Sequence, residues 1–293
     1  MNVFTIKDLE NLSGIKAHTI RMWEQRYNFL KPQRTESNIR YYDGQELKRI
    51  LNVALLNKFG FRISSISRMS EDEIQEKLLE LTQSLACEER FVAELITAMM
   101  EMEVKRFEEI LDNYILSKGL NKAVQHVIFP FLEKIGLLWT TNHLNPAQEH
   151  IVTNIVRQKL IVAIESAYSR MEKKITFLLF LPEGEFHELS LLYVYYLLKS
   201  KGISTLYLGA NVPLQDAAVV CKRKKIDYVY LHLTSVTNNF QYNKFLKDLH
   251  NYFAPLTVIL SGPMLHHFSS VELPLHVHCK QSFTEAVSFL NTF

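Results

Sequence analysis

From residue 172 onward, short apolar segments rich in β-formers recur at Ile175–Leu181, Ile203–Leu208, Tyr228–Leu233 and Leu256–Leu260, with a weaker fifth at Leu275–Cys279. Segments of helical period alternate with them: Glu188–Ser200, Leu214–Lys224, Phe240–Tyr252 and Phe283–Leu290. Strands spaced this way pair in parallel, because each crossover helix returns the chain to the same edge of the sheet. The pattern predicts a parallel sheet covered by helices on both faces. In such sheets ligands bind beyond the carboxyl ends of the strands. The loop after the first strand reads Pro182-Glu183-Gly184-Glu185-Phe186-His187, which puts His187 at that edge.

Upstream the period is helical. Four amphipathic segments, 86–99, 103–117, 119–138 and 146–171, predict an up-and-down four-helix bundle. Pro130 and Gly136 punctuate the third, and Asn145-Pro146 supplies the fourth with an N-cap and a first-turn proline. Residues 71–82 are acidic and read as a linker helix. The first seventy residues hold shorter pieces. Thr5 is the N-cap of Ile6–Leu12, Ser13-Gly14 breaks that helix, and Ile15–Tyr27 resumes it. Ile15, Ile20, Trp23 and Tyr27 share a stripe, so Trp23 is read as core, while Lys16, His18, Thr19, Arg21 and Arg26 lie largely off it. Two short helices across a glycine turn form a helix-turn-helix, whose second helix offers polar and cationic groups to the major groove. Leu30–Tyr42 reads as a hairpin carrying Arg34 and Arg40, whose planar forks suit phosphate. A helix over Asp43–Phe59 and a short one over Ile63–Met69 follow.

The formal net charge of +2 hides an asymmetry. Residues 1–70 hold 12 Lys/Arg against 6 Asp/Glu, and the remainder 21 against 25. A basic head on an acidic body points to a polyanion met by the head alone. Lys7, Asp8 and Glu10 interrupt any secretory signal, no apolar run is long enough to span a bilayer, and three scattered cysteines cannot build a disulfide or zinc framework. A cytoplasmic protein is expected. There is no GxGxxG, P-loop lysine, serine elbow or HExxH. His266-His267 is read as a surface pair in which a strand would turn the two rings apart. No catalytic residue is assigned, and the chain is read as a non-enzyme.

The ordered run Thr5-Ile6, Ser13-Gly14-Ile15, His18-Thr19-Ile20-Arg21-Met22-Trp23-Glu24, Arg34-Thr35 and Asn38-Ile39-Arg40-Tyr41-Tyr42 resembles the winged-helix head of the MerR-family transcription regulators. By that resemblance Ile15–Tyr27 is the recognition helix and Arg34–Tyr42 the wing. Lys16, His18, Thr19, Arg21, Arg26, Arg34, Asn38, Arg40 and Tyr42 would then meet a double-stranded DNA operator.

Two further patterns carry a second resemblance. Trp139 is followed after nine residues by Glu149-His150, and Glu185-Phe186-His187-Glu188-Leu189-Ser190 precedes Tyr207-Leu208-Gly209-Ala210-Asn211-Val212-Pro213. Together they resemble a helix-bundle cap joined to a Rossmann-like (flavodoxin-like) α/β cobalamin-binding domain. The whole chain is similar to the light-responsive, cobalamin-binding MerR regulators of the CarH/LitR type. That likeness implies an all-α winged helix-turn-helix head over 1–72, a linker helix over 73–85, a four-helix-bundle cap over 86–171 and the parallel-sheet domain over 172–293. It makes His187 the lower axial ligand of the cobalt, with Glu185 nearby. Trp139, Glu149 and His150 cover the upper face, Trp139 against the adenosyl group of adenosylcobalamin. Gly209, Asn211, His232, Thr234, Ser261 and Gly262 belong to the same pocket. A homo-oligomer (dimer or tetramer) is expected, with no membrane partner. Five positions depart from the family pattern. Ser190 replaces a glycine, His232 and Thr234 stand where Ser-x-Leu is usual, Ser261-Gly262 replaces Gly-Gly, and Thr140 follows Trp139 where some light sensors have histidine. Two readings stay open: a cobalamin-sensing regulator, or a regulator whose altered pocket senses another small molecule or serves as an assembly surface.

Overall fold

The computed structural model describes residues 3–35, 38–81, 84–139, 145–235, 240–268 and 272–293. The chain divides into two compact units, 1–155 and 156–293. No helix among the described residues is long and apolar enough to cross a membrane.

The first unit begins with α1 (Ile6–Ser13) and α2 (Ala17–Tyr27). Thr5 and Asp8 form a reciprocal capping box at the start of α1. Gly14 ends that helix at φ +74, a conformation glycine adopts without steric cost. The helix expected from Ile15 starts two residues later, because Lys16 is still extended as its N-cap. A two-residue hairpin, β1 (Gln33–Arg34) with β2 (Arg40–Tyr41), forms the wing. Then come α3 (Gly44–Lys58), capped by the Asp43 carboxylate, α4 (Ile63–Ile66) and α5 (Glu71–Glu80), whose Ser70 and Glu73 close a second capping box.

The remaining helices of this part are α6 (Ser84–Met100), α7 (Val104–Lys118), α8 (Leu120–Ala123), α9 (Phe129–Trp139) and α10 (Pro146–Ser166). A single π turn, Val124–Ile128, joins α8 to α9 into the one helical run that the sequence predicts. It ends two residues before Pro130, which has no N–H to give and whose ring crowds the preceding turn; the wider turn accommodates both. The head docks on this helical body, α3 against α6 and α1 against α9. Lys134 of α9 donates to the Leu12 carbonyl at the end of α1, and Lys58 pairs with Glu89 at 2.5 Å. Burial pushes the Lys134 amine below its ordinary pKa.

The second unit is a five-stranded, all-parallel sheet of β3 (Lys173–Pro182), β4 (Ile203–Val212), β5 (Tyr228–His232), β6 (Thr257–Ser261) and β7 (Val277–Lys280), in the order β4-β3-β5-β6-β7. Helices α11 (Leu189–Ser200), α12 (Leu214–Arg223), α13 (Tyr242–Phe253) and α14 (Phe283–Leu290) complete it. Successive strand side chains point to opposite faces. Leu178, Phe180, Val229, Leu231, Val258 and Leu260 therefore pack with α12 and α13, while Phe177, Leu179, Tyr230 and Ile259 pack with α11 and α14. The strand expected to stop at Leu208 runs on to Val212, with register shifts opposite Phe180 and Pro182. Gly209 and Asn211 thus lie in a bulged strand end instead of a loop. The last helix of the first 171 residues ends at Ser166, and its second half groups with the sheet unit.

Gly202 turns the chain from α11 into β4 at φ +73, and a Cβ there would stand 1.8 Å from the Met171 carbonyl oxygen. The left-handed backbone alone costs a side chain about 1–2 kcal/mol, and the clash is with backbone that cannot step aside. Gly202→Ala is expected to destabilise the sheet unit by more than about 2 kcal/mol. An unchanged urea midpoint for that unit would contradict this reading of the turn.

Candidate functional site

In the head, Lys16, His18, Arg21 and Arg26 are exposed, Thr19 is half-buried, and Ile20 and Trp23 are core as expected. Trp23 lies 6.1 Å from Phe29 between ring centres. The wing is braced internally. Arg34 donates to Asn38 Oδ1 at 2.6 Å, Asn38 sits at φ +63, and the Thr35 N–H donates to the Ile39 carbonyl at 2.9 Å.

Tyr42, expected on the DNA surface, is not there. It is 0% exposed, pairs with Phe4 through the backbone, and donates its hydroxyl to the buried Glu24. Burial first, and then that bond to Glu24, push its phenol well above the usual range. Arg40, on the same face of β2, brings Nε to 3.5 Å from the other Glu24 oxygen. Glu24 therefore fastens the wing to α2. The sequence did carry a signal for it: Glu24 is four residues beyond Ile20, on the buried stripe.

In the sheet unit, β3 connects through α11 on one face, while β4 connects through α12 on the other. The crevice between β3 and β5 is the switch point of such an order. The loops after these two strands meet there on one carboxylate. Glu185 is 1% exposed. Its Oε1 accepts the N–H groups of Phe186 and His187 at 2.9 Å and lies 2.6 Å from His187 Nδ1. Its Oε2 accepts the N–H groups of Thr234 at 2.7 Å and Ser235 at 2.8 Å. Burial raises the carboxyl pKa, but the bonds from the His187 ring and the backbone outweigh it and hold the group below its ordinary value. An ionised acceptor at Nδ1 keeps the proton on that nitrogen and the imidazole lone pair on Nε2, the arrangement of a metal-ligating histidine. The His187 side chain is 58% exposed.

Asn211 supports this loop rather than facing out of it. At φ +58 it accepts the Gly184 N–H on Oδ1 at 2.9 Å and donates its own N–H to the Glu185 carbonyl at 3.1 Å. Gly209 bends the same strand end at φ +87. Sequence reasoning missed Tyr207 and Arg157. The Tyr207 hydroxyl donates to Glu188 at 2.6 Å, and Arg157 Nε lies 3.5 Å from the other Glu188 oxygen. The residue beside His187 is thereby anchored.

His232 is 2% exposed, with Nδ1 2.7 Å from Ser261 Oγ, which in turn lies 2.6 Å from the Tyr230 hydroxyl. Gly262 leaves no room for a side chain, since a Cβ would come within 2.2 Å of the Leu233 carbonyl oxygen. The buried Thr234 hydroxyl has no hydrogen-bond partner among the described residues. In the first unit, Trp139 ends α9, and Glu149 and His150 share the first turn of α10, with His150 Nδ1 3.3 Å from Glu149 Oε2. Thr140 lies outside the described residues. His266 and His267 occupy a 3₁₀ turn, Pro263–Phe268. Among the described residues no three His, Cys, Asp or Glu groups are arranged to hold a metal ion.

Burial lowers the His232 pKa from 6.5 to about 4. Between those values the unfolded chain binds the extra proton, so stability rises with pH across that window. This contribution is fully present above about pH 6.5 and lost toward about pH 4. His232→Asn should flatten the stability difference of the sheet unit between neutral and mildly acidic pH; an equal acid loss in variant and parent would contradict it.

Comparison with known proteins agrees with this geometry. Residues 4–73 match the MerR HTH family regulatory protein model, and residues 92–163 match the B12 binding domain. The chain is 26% identical over 234 residues to the HTH-type transcriptional repressor CarH of Myxococcus xanthus, covering 78% of each protein. It is 27% identical over 260 residues to the HTH-type transcriptional repressor CarA of the same organism, covering 88% of this chain and 85% of that one. The Methanosarcina barkeri monomethylamine corrinoid protein shares the fold, with TM-score 0.54, 13% identity, and coverage of 68% of this chain and 96% of its own. A MerR-family helix-turn-helix head followed by a B12-binding domain makes this chain a DNA-binding regulator with a cobalamin-binding module.

Proposed function

We propose that the protein is a cytoplasmic, homo-oligomeric transcription regulator that holds a corrinoid through His187 and responds to it by changing its grip on operator DNA. The Glu185–His187 pair carries this reading, because it presents a correctly protonated imidazole at the switch point of the sheet. In this reading the sheet unit is a Rossmann-like (flavodoxin-like) domain, and residues 86–171 are a four-helix cap. The donor set suits the cofactor: one imidazole with an ionised partner, and a buried Thr234 hydroxyl still lacking a partner among the described residues. When bound, adenosylcobalamin supplies a light-labile cobalt–carbon bond. By the family resemblance, Trp139, Glu149 and His150 would serve the upper side of the cofactor, with Trp139 favouring the adenosyl form. Threonine at 140 offers no nitrogen ligand, so a light response does not draw a second imidazole from that position. The cofactor acts on DNA binding only to the extent that it prefers one arrangement of the subunits.

On DNA, Lys16, His18, Thr19, Arg21 and Arg26 read the groove from α2, and Arg34 and Asn38 meet the backbone from the wing. Arg21→Ala is expected to weaken operator binding and reduce its salt slope by about one, with head stability unchanged. Arg40→Ala leaves Glu24 with a lost partner and should also destabilise the head by about 1–3 kcal/mol. Gel shift at several salt concentrations, paired with thermal unfolding, separates the two; equal stability in both variants would show that Arg40 is only a phosphate contact.

His187→Ala is expected to release adenosylcobalamin or to change its visible spectrum in the dark. An unaltered spectrum at unaltered affinity would remove His187 as the ligand.

A further inference from the structure

A corrinoid carries its nucleotide tail on the same face as its lower axial ligand. If His187 is that ligand, as proposed above, the tail must be housed at the carboxyl edge of the sheet or lie outside it. Beside the end of β3, which carries the His187 loop, lies the end of β5, with β6 next to it, and both ends carry buried side chains, His232 and Ser261. His232, at the end of β5, is clamped by Ser261 at 2.7 Å, and Ser261 by Tyr230 at 2.6 Å. The His232 ring also stands edge-on to Phe283 at 6.0 Å between centres. Above this layer the backbones join directly: the Leu233 N–H donates to the Ser261 carbonyl at 2.8 Å, and the Met264 N–H to the Leu233 carbonyl at 3.3 Å. Gly262 packs so tightly on Leu233 that even a methyl group would collide.

We propose that His232, braced by Ser261 and Tyr230, is a specificity-determining residue that keeps the nucleotide tail out of the sheet, so that this chain takes corrinoids by ring and cobalt. Admitting the tail at the ends of β5 and β6 would displace the buried His232 ring and break its hydrogen-bond chain through Ser261 to Tyr230. Each buried polar group left unpaired carries a substantial penalty. Cobalamin is held with its tail in solvent, and a corrinoid without a tail is held as well.

The test titrates the full chain in the dark with hydroxocobalamin and with aquacobinamide, which lacks the nucleotide, following the visible spectrum and protein fluorescence. The parent should bind the two within about threefold. His232→Ser, which opens the space below the ring, should shift the ratio toward cobalamin by about tenfold or more, and His232→Asn, which keeps a polar group facing Ser261, by less. Circular dichroism checks that each variant is folded. A parent that prefers cobalamin by more than about tenfold overturns the inference while leaving His187 ligation standing. A folded His232→Ser with the parent's ratio also overturns it. Binding of neither corrinoid by the parent removes the corrinoid reading itself, and this inference with it.

Discussion

Glu185 places an ionised carboxylate among the backbone N–H groups of two loops separated by some fifty residues of sequence. Buried charge is costly unless every lone pair finds a donor, and here both oxygens do. The loop after β3 is short and polar, and on its own it would have little to hold it. Drawn onto the same carboxylate as Thr234 and Ser235, it becomes a fixed platform, and the imidazole of His187 inherits that rigidity through Nδ1. Asn211 from β4 and Glu188 with Tyr207 and Arg157 brace the two flanks of the loop. The parallel sheet makes this possible, since it alone brings the carboxyl ends of three strands to one edge.

The head uses the same physics at smaller scale. A two-residue hairpin has too little ladder to hold itself against a helix. Glu24 supplies the missing attachment, taking the Tyr42 hydroxyl on one oxygen and pairing with Arg40 on the other. The wing and α2 therefore present their cations as one surface. Docking of α1 and α3 on α9 and α6, sealed by Lys134 on the Leu12 carbonyl, leaves the exposed face of α2 clear. The first unit is accordingly a head and helical body packed as one.

Around His187 the edge is specialised rather than generic. Serine and histidine occupy positions where the family pattern has smaller groups, and the structure joins them in a closed hydrogen-bond chain with Tyr230. In the proposed reading, His187 and Glu185 serve the corrinoid ring, and these positions act on whatever hangs below it.

Period, the Thr5 N-cap and the Gly14 break were enough to determine, from sequence alone, the helices of the head and body, the alternating strands, Trp23 in the core, and His187 at the carboxyl edge. These are local properties: hydrophobic spacing and terminal hydrogen bonds involve neighbours a few residues apart. Tertiary structure alone decided which polar groups met. Tyr42 turned inward because its strand lies across Glu24, eighteen residues away in sequence. β4 outran its apolar segment because bulges against β3 let Gly209 and Asn211 continue the pairing. His232 and Ser261 became partners because β5 and β6 register them side by side. A buried polar group must find its partner wherever the fold brings one, and no local pattern in the chain records that distance.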